Sequence, residues 1–413
     1  LPIAVRCYNG GASALVAVHS RVHTMPLHNQ ATETSDGRLS SRPERSYRRI
    51  VVKAGTSLLT GGTDRLDQEV MATLVEQIAG LQSSDRQMML VTSGAVAAGR
   101  HVLGVVRDSG EVPMRQVLAA VGQGRLMHAY EQLFDWHQIP VAQALLSRKD
   151  LAERLGYLNV RNTLRGLLEL GVVPIVNEND VVAVDEIGEV FGDNDRLSAL
   201  VANLVDADLL VILTDIDGLY TADPNQDPDA KLIPIVDRVD DAVEALAGKN
   251  LNPWARGGMS TKLEAARLVT TSGMSMVMCD GRAQDVVLKA VRGEPVGTLF
   301  NPGAEKLEAR KRWMLSGISQ RGEVFVDAGA VSALREKNRS LLPAGITRVD
   351  GDFSRGDIVF ITGQEGRRIA CGIANYGSED ITRIRGAQSG DIESTLGYHF
   401  GQEVVHRNNL VLL

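Results

Sequence analysis

From Arg49 onward, short apolar runs alternate with segments of helical periodicity, and this alternation constrains the fold more than any other feature of the sequence. The runs that predict strands are Ile50–Val52, Met88–Val91, Pro140–Leu146, Val172–Val176 and Leu209–Leu213. The segments that predict helices are Leu66–Leu81, Ala95–Leu103, Arg115–His137, Leu158–Leu170 and Arg196–Val205. Elements in this order form βαβ units, so we predict an α/β fold, a three-layer αβα sandwich around a mainly parallel sheet.

The alternation stops near Thr298, and a different pattern follows it. Short strand-like runs, broken by Gly, Asp and Asn, occur at Gly322–Val326, Gly345–Val349 and Ile358–Thr362, which is typical of a small β-rich domain. We therefore predict an α/β domain over residues 49–300, a linker over 301–316 and a β-rich domain over 317–405.

Residues 1–48 read as an extension that precedes these domains. They are rich in Ser, Arg, Asn and Gly and show no sustained periodicity. Because such a composition buries too little surface to fold, we expect a disordered or mis-annotated extension, with Met25 as the alternative start. The Arg-rich, acid-poor composition leaves a transit peptide as the other interpretation.

Composition and charge exclude several classes of protein. No apolar run approaches the roughly 18 residues that a membrane helix needs, so we expect no membrane span. The scattered Cys7, Cys279 and Cys371 cannot form a disulfide framework or a CxxC metal site, which favours a reducing, cytoplasmic setting. Residues 50–312 carry a formal charge of −10, so any phosphate bound there requires locally placed lysines and backbone N–H groups.

Several turns at the ends of predicted strands carry residues suited to anions. Lys53 ends the first strand and Gly55 follows it, so the lysine can meet a phosphate while the backbone approaches closely. Ser93 opens a predicted helix, whose N-terminal N–H groups can also bind an anion. The alternatives are a surface lysine at a strand–loop junction and a serine that is merely the helix N-cap.

Three further turns extend this set. Asn177–Asp180 and Gly192–Asp195 are polar clusters that flank one loop. They can hold an amino acid's ammonium group and can position lysines or Mg²⁺. The alternative is that both are solvated turns. The Asp215–Gly218 stretch resembles the start of a calcium loop but lacks its later ligands, so we interpret it as a turn over a nucleotide. Arg256–Lys262 places paired glycines, two hydroxyls and a lysine before the helix Leu263–Val269, a phosphate cradle without being a P-loop.

The common catalytic signatures are missing from the sequence. There is no GxxxxGK[ST] P-loop, no GxGxxG after the first strand and no HExxH; the one HxxxH pair, His19 and His23, lies in the N-terminal extension, and the histidines after Arg49 form none. Met274, Met276 and Met278 alternate as one buried face of a strand would. We therefore predict no Walker-type nucleotide site and no protein-built metal site.

The turns taken together, in the order VVKAGTS, VTSGA, NEND, GDND, TDIDGLYTADP and GGMSTK, resemble the amino-acid kinase family. Within that family the likeness is to the enzymes that phosphorylate the γ-carboxylate of L-glutamate to L-glutamyl 5-phosphate, the first step of proline biosynthesis. The resemblance extends through Ser340–Gly345 and Gly351–Asp357, which are similar to a PUA domain. It implies the same three-layer fold, with a small β-rich PUA-like domain at its C-terminal side.

The resemblance also implies roles for single residues. Lys53 and Lys262 would contact the transferring phosphoryl group, and Asp195 would organise the two lysines. Ser93, Asp180 and Asn194 would bind glutamate. The residues that would bind ATP are Lys53, Thr214, Asp215, Arg256, Gly257, Gly258, Met259, Ser260, Thr261 and Lys262. Two positions depart from the family pattern: Arg256 stands where Thr is common, and Ala54 where Leu is frequent.

The chemistry that the family implies agrees with this inventory. A glutamate carboxylate, with a pKa of about 4.3, is already ionised at neutral pH and needs no general base, only positioning and charge neutralisation by lysines, Mg²⁺ and N–H groups. The family further implies proline as a feedback inhibitor and a homo-oligomer, a dimer or tetramer. The alternatives are a kinase for aspartate, acetylglutamate or carbamate, and RNA binding by the PUA-like domain. The near-neutral charge of residues 313–413 favours a structural role for that domain over RNA binding.

Overall fold

The computed structural model describes residues 47–104, 112–182, 194–224, 226–247, 258–303, 322–364 and 366–413, all of which belong to one compact unit, Arg42–Leu413. The predicted N-terminal extension and linker lie outside the described residues, apart from the ends Tyr47, Arg48 and 301–303. Two sheets organise the unit, one up to Phe300 and one from Glu323.

The first sheet has eight strands among the described residues, in the order β3-β4-β2-β1-β5-β7-β8-β6. They are β1 (Arg49–Ala54), β2 (Gln87–Val91), β3 (Val141–Leu146), β4 (Val173–Glu178), β5 (Leu209–Thr214), β6 (Ile235–Val236), β7 (Ser275–Asp280) and β8 (Thr298–Phe300). Their pairings are parallel except for β7 with β8, as the alternating sequence pattern predicts.

Helices cover both faces of this sheet. They are α1 (Thr56–Thr60), α2 (Gln68–Gln82), α3 (Ala95–Leu103), α4 (Val112–Asp135), α5 (Arg148–Ala152), α6 (Arg154–Glu169), α7 (Asn194–Leu204), α8 (Asp241–Ala245), α9 (Met259–Thr271) and α10 (Val286–Arg292). Alternate residues of β1 divide between two cores: Ile50 and Val52 pack with α2, α4 and α10, whereas Val51 packs with α6, α7 and α9. The three-layer αβα prediction is confirmed.

Helices α3 and α4 pack without any space between them. A Cβ on Gly99 would lie 1.8 Å from the carbonyl oxygen of Leu118, and one on Gly122 would lie 1.8 Å from that of Ala95. Only glycine fits at these two positions, which lets α4 lie directly against α3 beside the end of β2.

The second sheet has five strands in the described residues, in the order β10-β9-β11-β12-β13. They are β9 (Glu323–Val326), β10 (Ile346–Asp350), β11 (Ile358–Thr362), β12 (Arg368–Ile373) and β13 (Leu410–Leu412), with helices α11 (Ala328–Arg335), α12 (Ser378–Ile384) and α13 (Ile392–Leu396). β13 pairs with β12, so this β-rich domain extends beyond its predicted end at residue 405.

Three residue-level observations complete the fold. The methionines Met274, Met276 and Met278 are buried in the core, as their alternation in and before β7 predicts. Cys279 and Cys371 are buried free thiols, and Cys7 lies outside the described residues. Of the helices that the structure describes, none combines the length and the apolar character required to cross a lipid bilayer.

Candidate active site

Two lysines from distant parts of the chain meet at one buried carboxylate. The Nζ of Lys53, at the end of β1, lies 2.7 Å from Oδ1 of Asp195, and the Nζ of Lys262, in the first turns of α9, lies 3.1 Å from its Oδ2. Asp195 is the second residue of α7 and is fully buried, Lys53 is 2% exposed and Lys262 is 12% exposed. Two ammonium groups around one carboxylate leave a formal excess of one positive charge at this edge of the sheet.

The turn before α9 is tied to the same carboxylate. The hydroxyl of Thr261 lies 3.0 Å from Oδ2 of Asp195 and 2.9 Å from the carbonyl oxygen of Gly258, and it accepts the N–H of Gly258 at 3.2 Å. Met259 and Ser260 are the first residues of the helix that follows, so the described part of the predicted cradle lies beside Lys53. Arg256 and Gly257 lie outside the described residues.

The turn after β1 is shaped by the lysine itself. A Cβ on Gly55 would lie 3.3 Å from the Nζ of Lys53, a contact closer than most side chains tolerate. A glycine at this position therefore leaves room for the lysine to reach Asp195 and keeps the backbone open to an approaching ligand.

Asn194, the residue before Asp195, joins three predicted turns. Its Nδ2 donates to the Oγ of Ser93 at 3.1 Å, to the Oδ1 of Asn177 at 2.8 Å and to the carbonyl oxygen of Thr92. The strands β2 and β4 and the helix α7 are thereby held together at the carboxyl edge of the sheet, where open α/β sheets bind their ligands.

Ser93 is not the N-cap of α3. The N-cap of α3 is Gly94, in the left-handed conformation with φ 101°, and it makes no side-chain cap. Ser93 precedes the cap and turns its hydroxyl toward Asn194. The interpretation of Ser93 as merely the N-cap is therefore wrong, because Gly94 alone adopts the backbone conformation that begins this helix.

Asp180 lies at the turn that follows β4. Burial raises the pKa of its carboxyl group above the ordinary value, and the positive charge of Arg115 opposes that shift. Thr214 is the last residue of β5, and its hydroxyl donates to Oδ1 of the exposed Asp215 at 3.1 Å. Both turns follow parallel strands and so lie along the same carboxyl edge as Lys53.

Polar groups beneath the site come from residues that the sequence patterns did not single out. Asn177 donates to the Oε1 of Gln123 at 2.8 Å, and the hydroxyl groups of Thr92 and Tyr130 lie 2.8 Å apart. Burial raises the pKa of Tyr130 above its ordinary value, so the phenol stays neutral. Gln123 and Tyr130 lie on α4, where polar residues in a long helix look like parts of a solvated face.

A protein-built metal site is not seen at this edge. Among the residues for which the structure gives positions, no group of three or more His, Cys, Asp or Glu side chains could hold a metal ion. Mg²⁺ commonly keeps several waters and binds through substrate phosphates with only one or two carboxylates, so such a site needs no protein cage. The cluster of Lys53, Lys262 and Asp195 has more cations than carboxylates, so it is suited to an anionic ligand, whether or not that ligand carries Mg²⁺.

Comparisons with known proteins agree with this geometry. The model of the amino acid kinase family matches residues 48–280, and that of the PUA domain matches residues 322–396. The glutamate 5-kinase of Dehalococcoides mccartyi (strain CBDB1) is 52% identical over 371 residues, which cover 90% of this chain and 100% of that protein. The glutamate 5-kinase of Herpetosiphon aurantiacus is 52% identical over 365 residues, 88% of this chain and 98% of that protein.

A more distant likeness is found among solved structures. The match to the UMP kinase of Bacillus anthracis covers 63% of this chain and 98% of that kinase, with a TM-score of 0.44 and 17% sequence identity. The matches to the family model and to the close relatives, together with the fold and its lysine–aspartate cluster, assign the chain to a family: it belongs to the amino acid kinase family and carries a C-terminal PUA domain.

Proposed function

We propose that the chain transfers the γ-phosphoryl group of ATP to the γ-carboxylate of L-glutamate, forming L-glutamyl 5-phosphate for proline biosynthesis. As a member of its family the chain is a kinase that uses ATP, and its relatives at 52% identity are named for the glutamate reaction. The observation that carries the proposal is the buried pair of lysines held by Asp195 at the carboxyl edge of the sheet.

Roles for the two lysines follow from their charge and position. The attacking carboxylate of glutamate and the phosphoryl group are both anionic, so the main barrier is their mutual repulsion. Lys53 and Lys262 would offset it with two ammonium groups, and Asp195 would hold those groups at a fixed separation. No general base is required, because the nucleophile is ionised at neutral pH. Mg²⁺ bound with ATP would neutralise further phosphate charge.

The glutamate would bind at the neighbouring turns. The amide N–H groups of Asn194 are directed at protein oxygens, so a substrate contact by this residue would use its Oδ1, an acceptor for an ammonium group. Asp180 supplies a carboxylate of the sign that the same ammonium group requires, and the hydroxyl of Ser93 lies within reach of Asn194. We assign the substrate's α-amino end to this side and ATP to Thr214, Asp215 and the segment Arg256–Lys262.

The experiment that tests the substrate is a hydroxylamine trap for an acyl phosphate. Purified protein with ATP, Mg²⁺ and L-glutamate is expected to form a hydroxamate, whereas aspartate, N-acetylglutamate or carbamate in place of glutamate is expected to give none above background. A hydroxamate that appears with one of these substrates and not with glutamate would contradict the assignment. Omitting Mg²⁺ in a parallel reaction tests the metal requirement.

Assembly and feedback are further parts of the proposal. Helices α3 and α4 expose the apolar side chains of Val102, Leu103, Met114 and Val117, which supports a homo-oligomer with these helices buried between copies. Light scattering of Val117→Glu is expected to show a smaller particle than the wild type. Proline as a feedback inhibitor rests on the family resemblance, and proline titrated against the hydroxamate assay is expected to inhibit competitively with glutamate.

For the PUA domain we propose a structural role over RNA binding. A cavity of 730 Å³ in this domain is lined by cations and anions alike, with Arg339 and Arg407 beside Asp327 and Glu403. Its His406 favours the neutral form, because burial lowers the pKa of the imidazole. Such a mixture offers little net attraction to a phosphate backbone, which dominates nucleic-acid affinity. Salt-sensitive binding of the whole protein to single-stranded or duplex RNA at physiological ionic strength would contradict this choice.

A further inference from the structure

Helix α7 connects two buried polar clusters that lie at its opposite ends. Its first residues, Asn194 and Asp195, belong to the candidate active site, and its last residue is Leu204. The helix rises by 1.5 Å per residue, so the carbonyl group of Leu204 lies roughly 14 Å along the axis from Asp195. Eight of the eleven side chains between these ends are buried in the core, so the helix has little freedom to bend and would shift as one piece.

The C-terminal end of α7 is held by Arg161, a residue of α6 that is only 3% exposed. Its guanidinium donates to the carbonyl oxygen of Leu204 and, at 2.6 Å, to the Oδ2 of Asp206 just beyond the helix. Carbonyl groups in the last turn of a helix have no partner within the helix, and a cation is favoured there. Burial acts to lower the pKa of Arg161, but the charges of Asp206 and Tyr157 and the hydrogen bonds to them outweigh burial and raise the pKa.

Two further hydrogen bonds of Arg161 reach the second domain. The Nε donates to the Oδ1 of Asn409 at 2.6 Å, and an Nη2 hydrogen donates to the carbonyl oxygen of Asn408 at 2.7 Å. Asn409 is fully buried and lies immediately before β13. An apolar cluster that joins the two domains lies alongside, made of Leu158 on α6 and the residues Ile358, Cys371, Ile373 and Val411 of the second sheet.

We infer that Arg161 is a positioning residue through which the PUA domain sets the axial position of α7 and, with it, the placement of Asn194 for glutamate. The guanidinium of Arg161 donates hydrogen bonds to the end of α7 and to the buried amide of Asn409 at the same time, so a movement of the second domain is passed on to α7. The inference rests on the proposed function, since it concerns the same glutamate site. Its direct consequence is that residue 409, which belongs to the second domain, affects the affinity for glutamate more than that for ATP. The reason is that Asn194 lies on α7, whereas α7 reaches the ATP site less directly, through the contacts of Asp195 with Lys53 and Lys262.

The test compares two neighbouring amides that both bridge the domains. Asn409→Ala removes the acceptor for the Nε of Arg161 and the Nδ2 donor to the Oδ1 of Asn162 at 3.2 Å. Asn408→Ala removes a side chain that donates to the Oε1 of Glu169 at 3.3 Å and keeps the carbonyl that Arg161 uses. We expect the KM for glutamate to rise about three- to tenfold in Asn409→Ala, with the KM for ATP within about twofold of the wild type. Asn408→Ala should match the wild type in both constants.

A conservative variant separates positioning from simple destabilisation. Asn409→Asp retains an oxygen acceptor for Arg161 but loses, as Asn409→Ala does, the donor to Asn162. If the contact with Arg161 positions α7, Asn409→Asp should restore the glutamate KM of the wild type, measured well below the melting temperature of every variant. Wild-type KM values in Asn409→Ala, an equal rise for glutamate and ATP, an Asn408→Ala variant with the same defect, or failure of Asn409→Asp to restore the constant would each overturn the inference.

Hydrogen–deuterium exchange tests the same coupling without any turnover. Amides of residues 201–207 should exchange about fivefold faster in Asn409→Ala than in Asn408→Ala or the wild type. If the wild type forms no glutamate-dependent hydroxamate, the proposed function is wrong. The exchange rates would still show whether the second domain holds α7 in place. Equal exchange in the three proteins would overturn the inference on its own.

Discussion

Each end of α7 lies beside a cluster of two basic side chains and one aspartate, with lysines at the N-terminal end and arginines at the C-terminal end. At its N-terminal end Lys53 and Lys262 meet Asp195, and beyond its C-terminal end Arg161 and Arg165 meet Asp206. Each cluster therefore contains two cations and one carboxylate, largely removed from solvent. Their formal charges match, although Asp195 is fully buried and Asp206 is 20% exposed. The plainest chemical difference between the clusters is the kind of cation.

Lysine and arginine differ in geometry and not only in basicity. An ammonium group is a compact, rotatable point charge that can follow a phosphoryl group as charge moves, whereas a guanidinium is a planar fork whose donors fit fixed acceptors. Arg161 donates to four acceptors in two distant parts of the chain, residues 204–206 and 408–409, which is suited to holding structure. The comparison teaches that one end is arranged to receive a ligand and the other to keep the helix in place.

The largest expected effect is at the lysine end. Lys262→Ala should lower kcat by about 100- to 1000-fold, because the loss of one preorganised donor at a developing charge costs that much in other enzymes. The melting temperature should change little, because Lys53 still pairs with Asp195 at 2.7 Å and the variant leaves no buried carboxylate without a cation. Hydroxamate kinetics and a thermal melt measure the two quantities. The control is the exposed Lys337→Ala; kcat in Lys262→Ala equal to that of this control would remove Lys262 from the chemistry.

At the arginine end the loss should appear in stability instead. Arg161→Met keeps the apolar length of the side chain and removes the guanidinium, which leaves Asn409 and the carbonyl group of Leu204 without it. Breaking a buried charged network costs about 3 kcal/mol, so the free energy of unfolding should fall by that amount while kcat falls less than about tenfold. Urea denaturation measures the first quantity. A variant that loses turnover and keeps its stability would reverse the comparison.

The pH dependence should also separate the two ends. Because burial raises the pKa of Asp180, this carboxyl group becomes protonated at a higher pH than an ordinary aspartate does, and its attraction for an ammonium group is then lost. The KM for glutamate should therefore rise as the pH falls through that raised pKa, by up to about tenfold per pH unit. Arg161 stays charged over the same range. In Asp180→Asn the KM should be high and flat above about pH 5, where the substrate's own carboxylate is ionised; a slope as steep as that of the wild type would exclude Asp180.

The smallest effect is expected at the rim of the arginine end. Arg355 donates to the Oδ1 of Asn159 at 2.8 Å across the same two domains, but this contact is exposed and its guanidinium also lies 3.8 Å above the ring of Phe400. Arg355→Gln should change the free energy of unfolding by no more than about 0.5 kcal/mol. Measured beside Arg161→Met, it shows whether burial or mere contact between domains provides the stability. Equal losses in the two variants would mean that burial is irrelevant here.

The sequence predicted the sheets well because their signal is local. The strand at Leu209–Leu213 and the helix at Ala95–Leu103 lie within one residue of the observed elements. The strand is decided by its continuous apolar run, and the helix by its apolar pattern between Gly94 and Gly104. The turns at Lys53, Asn194 and Asp195 were found for the same reason: they follow strands or begin helices. Contact with ligands at these turns stays a prediction.

What the sequence did not reveal depends on partners that are distant along the chain. Gln123, Tyr130 and Arg161 are polar residues within long helices, and from the sequence alone such residues look like parts of a solvated face. Arg161 lies 248 positions from Asn409 in the sequence, and no local sequence pattern predicts that these two residues pair. A buried polar residue can be recognised only when the fold has brought its partner to it.

The late position of Asn409 in the chain also has a consequence for the order of events during synthesis. Domains fold from the N-terminal side as the ribosome works at about 5–20 residues per second, so translation from Phe300 to Asn409 takes roughly 5 to 20 seconds. For that interval the first sheet is complete while the guanidinium of Arg161 and the side chain of Leu158 await the second domain. The nascent kinase domain thus presents an unfinished, partly apolar surface to the cell, and a chaperone that covers α6 would be engaged before the last strand is made.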